Sequence, residues 1–363
     1  MNDHSPLFSK IYGGMIGAAV GDAMGGPVEG MDYLEIEKKF GRVESLLPYR
    51  HPPGEHNQFQ NAAGAYTDDT RINLLVSQAV LASQGDVVRG DLARAISDYY
   101  HNSHNALERA FIEEYYLKGL YGARKLIYGG HPTNGAIMGN AALGVLHPAD
   151  PKAAFADAYE LAFITDGYAK ESAAIAAAAI AAAMRPRANV TGLVQEALDT
   201  AAWFRREGPL WGKTIQTAQW ALFEGRPNQE LVGAAIEVAQ RHGDAFSMRA
   251  ELYEKLKVSP LGSEAGQTLA VALAALVVAK GDFAQTVIGA VNYGRDCDSY
   301  ATVAGAIAGA LNGVEAIPQA WILTVRSANP EPDIRKMAEK IAEIVVAQHG
   351  QRRQTVADVE AQL

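Results

Sequence analysis

Cysteine is nearly absent. Cys297 is the only one in 363 residues, so no disulfide can form within the chain, and a reducing compartment is expected. Basic residues are in deficit, 32 Lys and Arg against 41 Asp and Glu, for a formal charge of −9. That balance argues against a nucleic-acid surface or an anionic membrane as partner. It leaves room for a phosphorylated ligand held by backbone N–H groups or by a metal. Long hydrophobic runs are missing too: stretches such as 173–184 and 269–279 fall short of the roughly 20 apolar residues that span a bilayer. Met1 to Pro6 show no basic segment leading into an apolar one, so no secretory signal is visible and a cytoplasmic location is the expectation. Ser/Gly linkers and β-branched alternation are scarce as well, which removes the usual signs of flexibly joined modules and of a sheet.

What the chain has in plenty is helical periodicity. Its composition, 48% hydrophobic and 20% charged, is ordinary for a soluble globular protein. Alanine-rich segments recur at 171–184, 267–279 and 301–311, and alanine is the best helix former. Roughly fifteen helical stretches are legible between Gly, Pro or Asn breaks, which predicts an all-α fold with helices buried at its centre. Gly13, Gly17, Gly21 and Gly25 recur on one helix face, and Gly305 and Gly309 repeat the spacing beside Ala301 and Ala308. Each glycine costs about 1 kcal/mol against alanine inside a helix, so close approach of two backbones is the expected reason. Asp22 within the first run argues against a membrane-dimer motif, and the lack of a preceding strand against a dinucleotide-binding loop. The stripe Ile334, Met337, Ala338, Ile341, Ile344 and Val345 predicts a surface helix over 332–349.

Two clusters carry chemistry: Thr67-Asp68-Asp69-Thr70 and Asp296-Cys297-Asp298-Ser299. Each supplies two carboxylates and at least one hydroxyl, then opens onto an apolar helical pattern. Asp is a poor interior helix residue and a good helix start, so both clusters are expected at the beginning of a helix, on a rigid support. Capping alone would account for one such pair. Two of them with matching hydroxyls favour a shared site, and the whole chain, 1–363, is then one domain. Four carboxylates brought that close cannot all stay ionised without a cation. An all-oxygen ligand set suits Mg²⁺, Mn²⁺ or Ca²⁺ rather than zinc. Cys297 lies between two carboxylates whose field disfavours a thiolate, so a packed thiol is expected there.

Four stretches stand out as a set: Gly17 to Glu29 (GAAVGDAMGGPVE), Tyr66 to Thr70 (YTDDT), Asn134 to Met138 (NGAIM), and Asn292 to Ser299 (NYGRDCDS) with AGAIAGA at 304–310. Together they resemble the ADP-ribosylglycohydrolases, the group of the dinitrogenase reductase-activating glycohydrolase and the ADP-ribosyl-acceptor hydrolases. The likeness covers roughly residues 10–315. It implies an all-α, single large orthogonal helical domain with two divalent cations, Mg²⁺ or Mn²⁺, in a cleft. Carried onto this chain, Thr67, Asp68, Asp69 and Asp298 would ligate one ion, and Asp296, Asp298 and Ser299 the other, with Asp298 bridging. Ser299 stands where the family usually has Thr and keeps the hydroxyl. Glu29 matches a family glutamate at the cleft. The implied substrate is an ADP-ribosylated protein or another ribose-containing molecule, cleaved at an N- or O-glycosidic bond. Asp68 or Asp69 is the first choice of general base and Glu29 the second, while Asn134, Gly135, Asp166, Tyr168 and Arg295 are the expected ligand contacts.

Two departures from the family pattern matter. Thr165-Asp166 stands where Thr-His is common, and Met138-Gly139 where Met-Arg is common. A missing His and Arg remove groups suited to phosphate or ribose contact, which makes hydrolysis of a small, nucleoside-like ribosyl N-glycoside the alternative activity. A non-catalytic ligand-binding or structural relative is the alternative from another class. Retention of all the metal carboxylates argues against it.

Overall fold

A computed structural model describes residues 5–49, 62–103, 106–122, 133–165, 168–207, 228–256 and 263–363. Sixteen α-helices form among them: α1 Pro6–Gly25, α2 Tyr33–Phe40, α3 Asp68–Ala82, α4 Arg89–Asn102, α5 Ala106–Gly122, α6 Ala141–Leu146, α7 Pro151–Leu161 and α8 Ala169–Ala183 in the first half. The second half adds α9 Val190–Glu207, α10 Asn228–Arg241, α11 Ala245–Lys255, α12 Ala265–Val278, α13 Phe283–Val291, α14 Cys297–Asn312, α15 Gln319–Ala328 and α16 Ile334–Glu360. Many of these helices begin where a side chain satisfies free backbone N–H groups. Ser5 caps α1 just before Pro6, and Asp32, Asp244, Glu264, Asp282 and Asp333 cap α2, α11, α12, α13 and α16.

Helices α1, α8, α12 and α14 are buried on nearly every side, as their small and apolar sequences allow. The most extensive packing between any two helices joins α1 to α14, the first and one of the last in the chain. They run antiparallel, with Gly13 facing Gly309, Gly17 facing Gly305, and Gly21 facing Ala301. A Cβ on Gly13 would stand 2.5 Å from the Gly309 carbonyl oxygen, so only glycine permits this approach. The expected reason for the glycine spacing is thereby met. Because the pair is antiparallel, the end of α1 lies beside the start of α14, where Gly25 rests on the backbone of Cys297 and Asp298.

The described residues contain no strand, but two isolated bridges tie loops together next to these helix ends. One joins Asp32 to Gly294, and the other joins Thr133 to Glu264. The first is reinforced by Gly30 N–H donating to the Arg295 carbonyl (2.7 Å) and Arg295 N–H donating to that of Met31 (2.5 Å). Gly294 has φ +81°, and a Cβ there would meet the Met31 carbonyl oxygen at 2.5 Å, so the turn requires glycine.

The C-terminal helix differs from its expected span. It begins at Ile334 rather than 332 and runs past 349, straight through Gly350, to Glu360. One interior glycine costs only about 1 kcal/mol, and the polar run after it holds no proline to stop the helix. The predicted stripe is buried against α1, α3 and α6, whereas residues 351–363 are all exposed. No helix among the described residues is long and apolar enough to cross a membrane.

Candidate active site

The site is assembled at two helix starts, those of α3 and α14, braced by Asp22 of α1 and by the loop bearing Asn134. Thr67 is the N-cap of α3, in extended backbone, and its Oγ1 accepts the Asp69 N–H at 3.3 Å. Asp22, fully buried in α1, holds the same loop from below. Its Oδ1 accepts the Thr67 N–H at 2.9 Å, while Oδ2 accepts the Thr70 N–H at 2.9 Å and the Thr70 hydroxyl at 2.5 Å. Burial lifts the Asp22 carboxyl to about 6, and the bonds from Thr70 and Thr67 oppose that rise. Asp296 is the N-cap of α14, yet its carboxylate makes no capping bond. It is turned instead to Asn134, whose side-chain amide donates to Asp296 Oδ2 in a short hydrogen bond and to Thr268 Oγ1 at 3.1 Å. The loop bearing Asn134 is clamped to α3 by Asn73, which donates to the Met138 carbonyl (2.6 Å) and accepts from Ala141 N–H (2.9 Å).

Residues some 230 positions apart thereby meet. Carboxylate oxygens of Asp68, Asp69 and Asp298 lie within 4.8 Å of one another, and so do those of Glu29, Asp296 and Asp298. Asp298 belongs to both groups. Thr67 Oγ1 stands 3.4 Å from Asp69 Oδ2 and from Asp298 Oδ2. The Ser299 hydroxyl lies 3.9 Å from Met138 Sδ and is near enough to Asp69 and Asp296 to favour their charged forms. Thr67, Asp69, Asp298 and Ser299 form a buried floor, and Glu29, Asp68 and Asp296 form a half-buried rim.

Electrostatically this cluster is costly as it stands. Burial pushes Asp69 well above the ordinary carboxylate range, with Asp22, Asp68 and Asp296 adding to it. Asp298 is pushed well above it by burial and then by Glu29, Asp69, Asp296 and Asp22. Burial raises Asp296 to about 6, against the pull of the Asn134 bond. Asp68 is raised by burial, opposed by hydrogen bonds and by the Arg71 charge. Two buried oxygens, Asp69 Oδ1 and Asp298 Oδ1, have no hydrogen-bond partner. An unpaired buried carboxylate oxygen costs several kcal/mol unless a proton or a cation meets it. A buried, oxygen-only donor set with two unpaired oxygens fits hard divalent cations.

The sequence matches the ADP-ribosylglycohydrolase family over residues 3–353. The chain belongs to that family. Among curated proteins it is similar to the uncharacterized protein YegU of Escherichia coli strain K12, 26% identical over 351 residues, covering 92% of this chain and 96% of YegU. It is also similar to an uncharacterized protein of Archaeoglobus fulgidus, 27% identical over 323 residues, covering 85% and 88% of the two chains. A solved structure described as an ADP-ribosylglycohydrolase-related protein complex superposes with a TM-score of 0.60 at 24% identity, covering 93% of this chain and 99% of that one. That likeness bears on the fold alone, and it agrees with the all-α architecture.

The remaining candidates from the family pattern sit at varying distances from the acids. Asn134 is in the site through Asp296, and Gly135 packs under the Tyr115 hydroxyl. Tyr168 is buried, its hydroxyl bonded to Glu264, whose carboxylate caps α12 through Gly266 N–H (2.9 Å) and Gln267 N–H (2.6 Å). Tyr168 is 2% exposed. Arg295 adopts φ +61° and lays its guanidinium 4.6 Å from the centre of the Tyr253 ring, with a bond to Gln267 Oε1 at 3.5 Å. Asp166 lies outside the described residues. Cys297 is fully buried, its Sγ 3.5 Å from the Gly25 carbonyl, and burial together with Asp298, Glu29 and Asp296 pushes the thiol well up, so it stays protonated. Sequence reasoning gave no role to Asp22 or Tyr115. An acid inside a Gly/Ala helix was the available signal for Asp22, since a charge on such a face needs partners. Nothing in the sequence marks Tyr115.

Proposed function

We propose that this protein is a divalent-cation-dependent hydrolase that cleaves the N- or O-glycosidic bond at the ribose anomeric carbon of an ADP-ribosylated substrate. The observation that carries the reading is Asp298, buried, shared by both acidic groups and left with an unpaired oxygen. In this reading Thr67, Asp68, Asp69 and Asp298 hold one Mg²⁺ or Mn²⁺. Asp296, Asp298 and Ser299 hold the other, with Glu29 close enough to join them. Two such cations supply Lewis-acid fixation of ribose hydroxyls and a water made acidic enough to lose its proton near neutral pH.

The chain's own groups do the rest. Cleavage builds positive, oxocarbenium-like charge on the ribose, and the half-buried rim of Glu29, Asp68 and Asp296 offers negative charge to meet it. Asp68, at the rim beside the buried Asp69, is placed to take the proton from the attacking water. Asn134 keeps Asp296 oriented, and Asp22 keeps the Thr67–Thr70 loop in register.

Gly139 favours a second reading, a small ribosyl N-glycoside as substrate. A Cβ at Gly139 would stand 2.6 Å from Ile72 Cγ2, so this position is packed against α3 and presents no side chain to a phosphate. Turnover separates the two: release of ADP-ribose from modified protein or of ribose from nucleoside-type substrates is measured with Mg²⁺ or Mn²⁺, after EDTA, and in Asp298→Ala. Activity that survives both EDTA and Asp298→Ala would refute the assignment of the site.

A further inference from the structure

We infer that Tyr115 is a substrate-contacting residue of this site: its hydroxyl, seated on the Gly135 backbone at the rim of the acidic cluster, donates a hydrogen bond to the ribosyl substrate. The inference rests on the proposed ribosyl-hydrolase reading and adds a specificity element that the acidic motifs do not contain.

Tyr115 lies on α5, a helix that contributes no acid to the cluster. A Cβ on Gly135 would fall 2.6 Å from the Tyr115 hydroxyl oxygen and 3.2 Å from Cζ, so the phenol rests directly on this backbone. The preceding residue, Asn134, is the one that donates to Asp296. Asp68, Glu114 on the same helix, Asp69 and Asp296 act electrostatically on the phenol, in that order of strength. Tyr115 therefore stands beside the loop whose Asn134 orients Asp296. Burial, and then these carboxylates, hold the phenol above its usual range, and a phenol in its neutral form donates through its O–H. The ring is only half-buried, which leaves it reachable by a ligand.

The helix beneath it is fixed. One turn on, Lys118 Nζ donates to the Ile164 carbonyl at 3.1 Å, and Gly119 packs on Ala93. A phenol O–H on a fixed helix, beside the loop that orients Asp296, has sugar and phosphate oxygens as its natural acceptors. Glycine at 135 is what leaves room for it. Any side chain there would lift the phenol away.

The test measures ADP-ribose binding in Mn²⁺ by calorimetry on the full chain, with Mn²⁺-induced thermal stabilisation recorded in parallel. Tyr115→Phe should weaken ADP-ribose binding about tenfold, the worth of one good hydrogen bond, and leave the Mn²⁺ effect unchanged. Gly135→Ala should weaken binding similarly in the parent but by less than about twofold when added to Tyr115→Phe, because the displaced hydroxyl is already gone. Unaltered binding in Tyr115→Phe, a reduced Mn²⁺ response in that variant, or an equal Gly135→Ala penalty in both backgrounds would each overturn the inference while leaving the hydrolase reading intact. Failure of the parent protein to bind ADP-ribose at all would remove that reading and this inference together.

Discussion

Replacing Asp298 with Asn should make the metal-free protein more stable while abolishing its response to metal. Asp298 faces Asp68 and Asp69 on one side and Glu29 and Asp296 on the other, with oxygens no more than 4.8 Å apart. Two unit charges at that distance repel by about 3 kcal/mol at an effective dielectric near 20. Proton uptake caps the total, because a carboxylate facing too much repulsion protonates instead, so the net gain is about one such pair, near 3 kcal/mol. Unfolding entropy of about 2.1 cal/mol/K per residue turns this into a rise in Tm of about 4 °C for a chain this long. Scanning calorimetry at pH 8 in EDTA and in Mn²⁺ reads both effects. The parent should gain stability from Mn²⁺ and Asp298→Asn should not. The gain from the substitution should shrink toward pH 5, where the neighbouring carboxylates take up protons. A variant that is no more stable than the parent in EDTA, or one that Mn²⁺ still stabilises fully, would refute the reasoning.

Three further outcomes are expected. Metal-free protein should lose stability as pH rises: Asp296 goes from 3.8 unfolded to about 6 folded, so the folded state binds the proton more tightly. The stability is fully present below about 3.8, falls as pH rises from there and is lost on passing about 6, at most about 3 kcal/mol from this group, and saturating Mg²⁺ should flatten the thermal pH profile. Gly21→Ala should force α1 and α14 apart, since its methyl would overlap the Ala301 carbonyl; a loss of about 2 kcal/mol or more in denaturant titration, with a weakened Mn²⁺ response, is the expected result. Asp22→Ala should strand the N–H groups of Thr67 and Thr70 and the Thr70 hydroxyl, costing about 3 kcal/mol and raising the Mn²⁺ concentration needed for half-maximal stabilisation.

Some elements could be read directly from the chain because they depend on local spacing. Glycines four apart in 13–25, answered by Gly305 and Gly309, announce two helices that must touch. Thr67-Asp68-Asp69 and Asp296-Cys297-Asp298 announce helix starts, since Asp and Thr cap better than they propagate a helix. The C-terminal stripe was legible as far as Val345. Beyond it, residues 351–363 have no buried face, and without one the pattern says nothing about where the helix stops.

Other features depend on contacts across hundreds of residues, and local chemistry is silent about those. Which glycine meets which is a matter of helix direction: the antiparallel pairing sets Gly25 on Asp298 and so brings Glu29 beside Asp296. Tyr168 and Arg295 carry groups as suited to a ligand as to the protein interior, and only packing assigns them to Glu264 and Tyr253. Tyr115 has no motif at all, and its place over Gly135 follows from how α5 lies across the loop at 133–139. Spacing along the chain thus determined which residues were chemically equipped for a cation site. Tertiary structure decided their partners, because a buried carboxylate or phenol takes its properties from whatever neighbours the fold supplies.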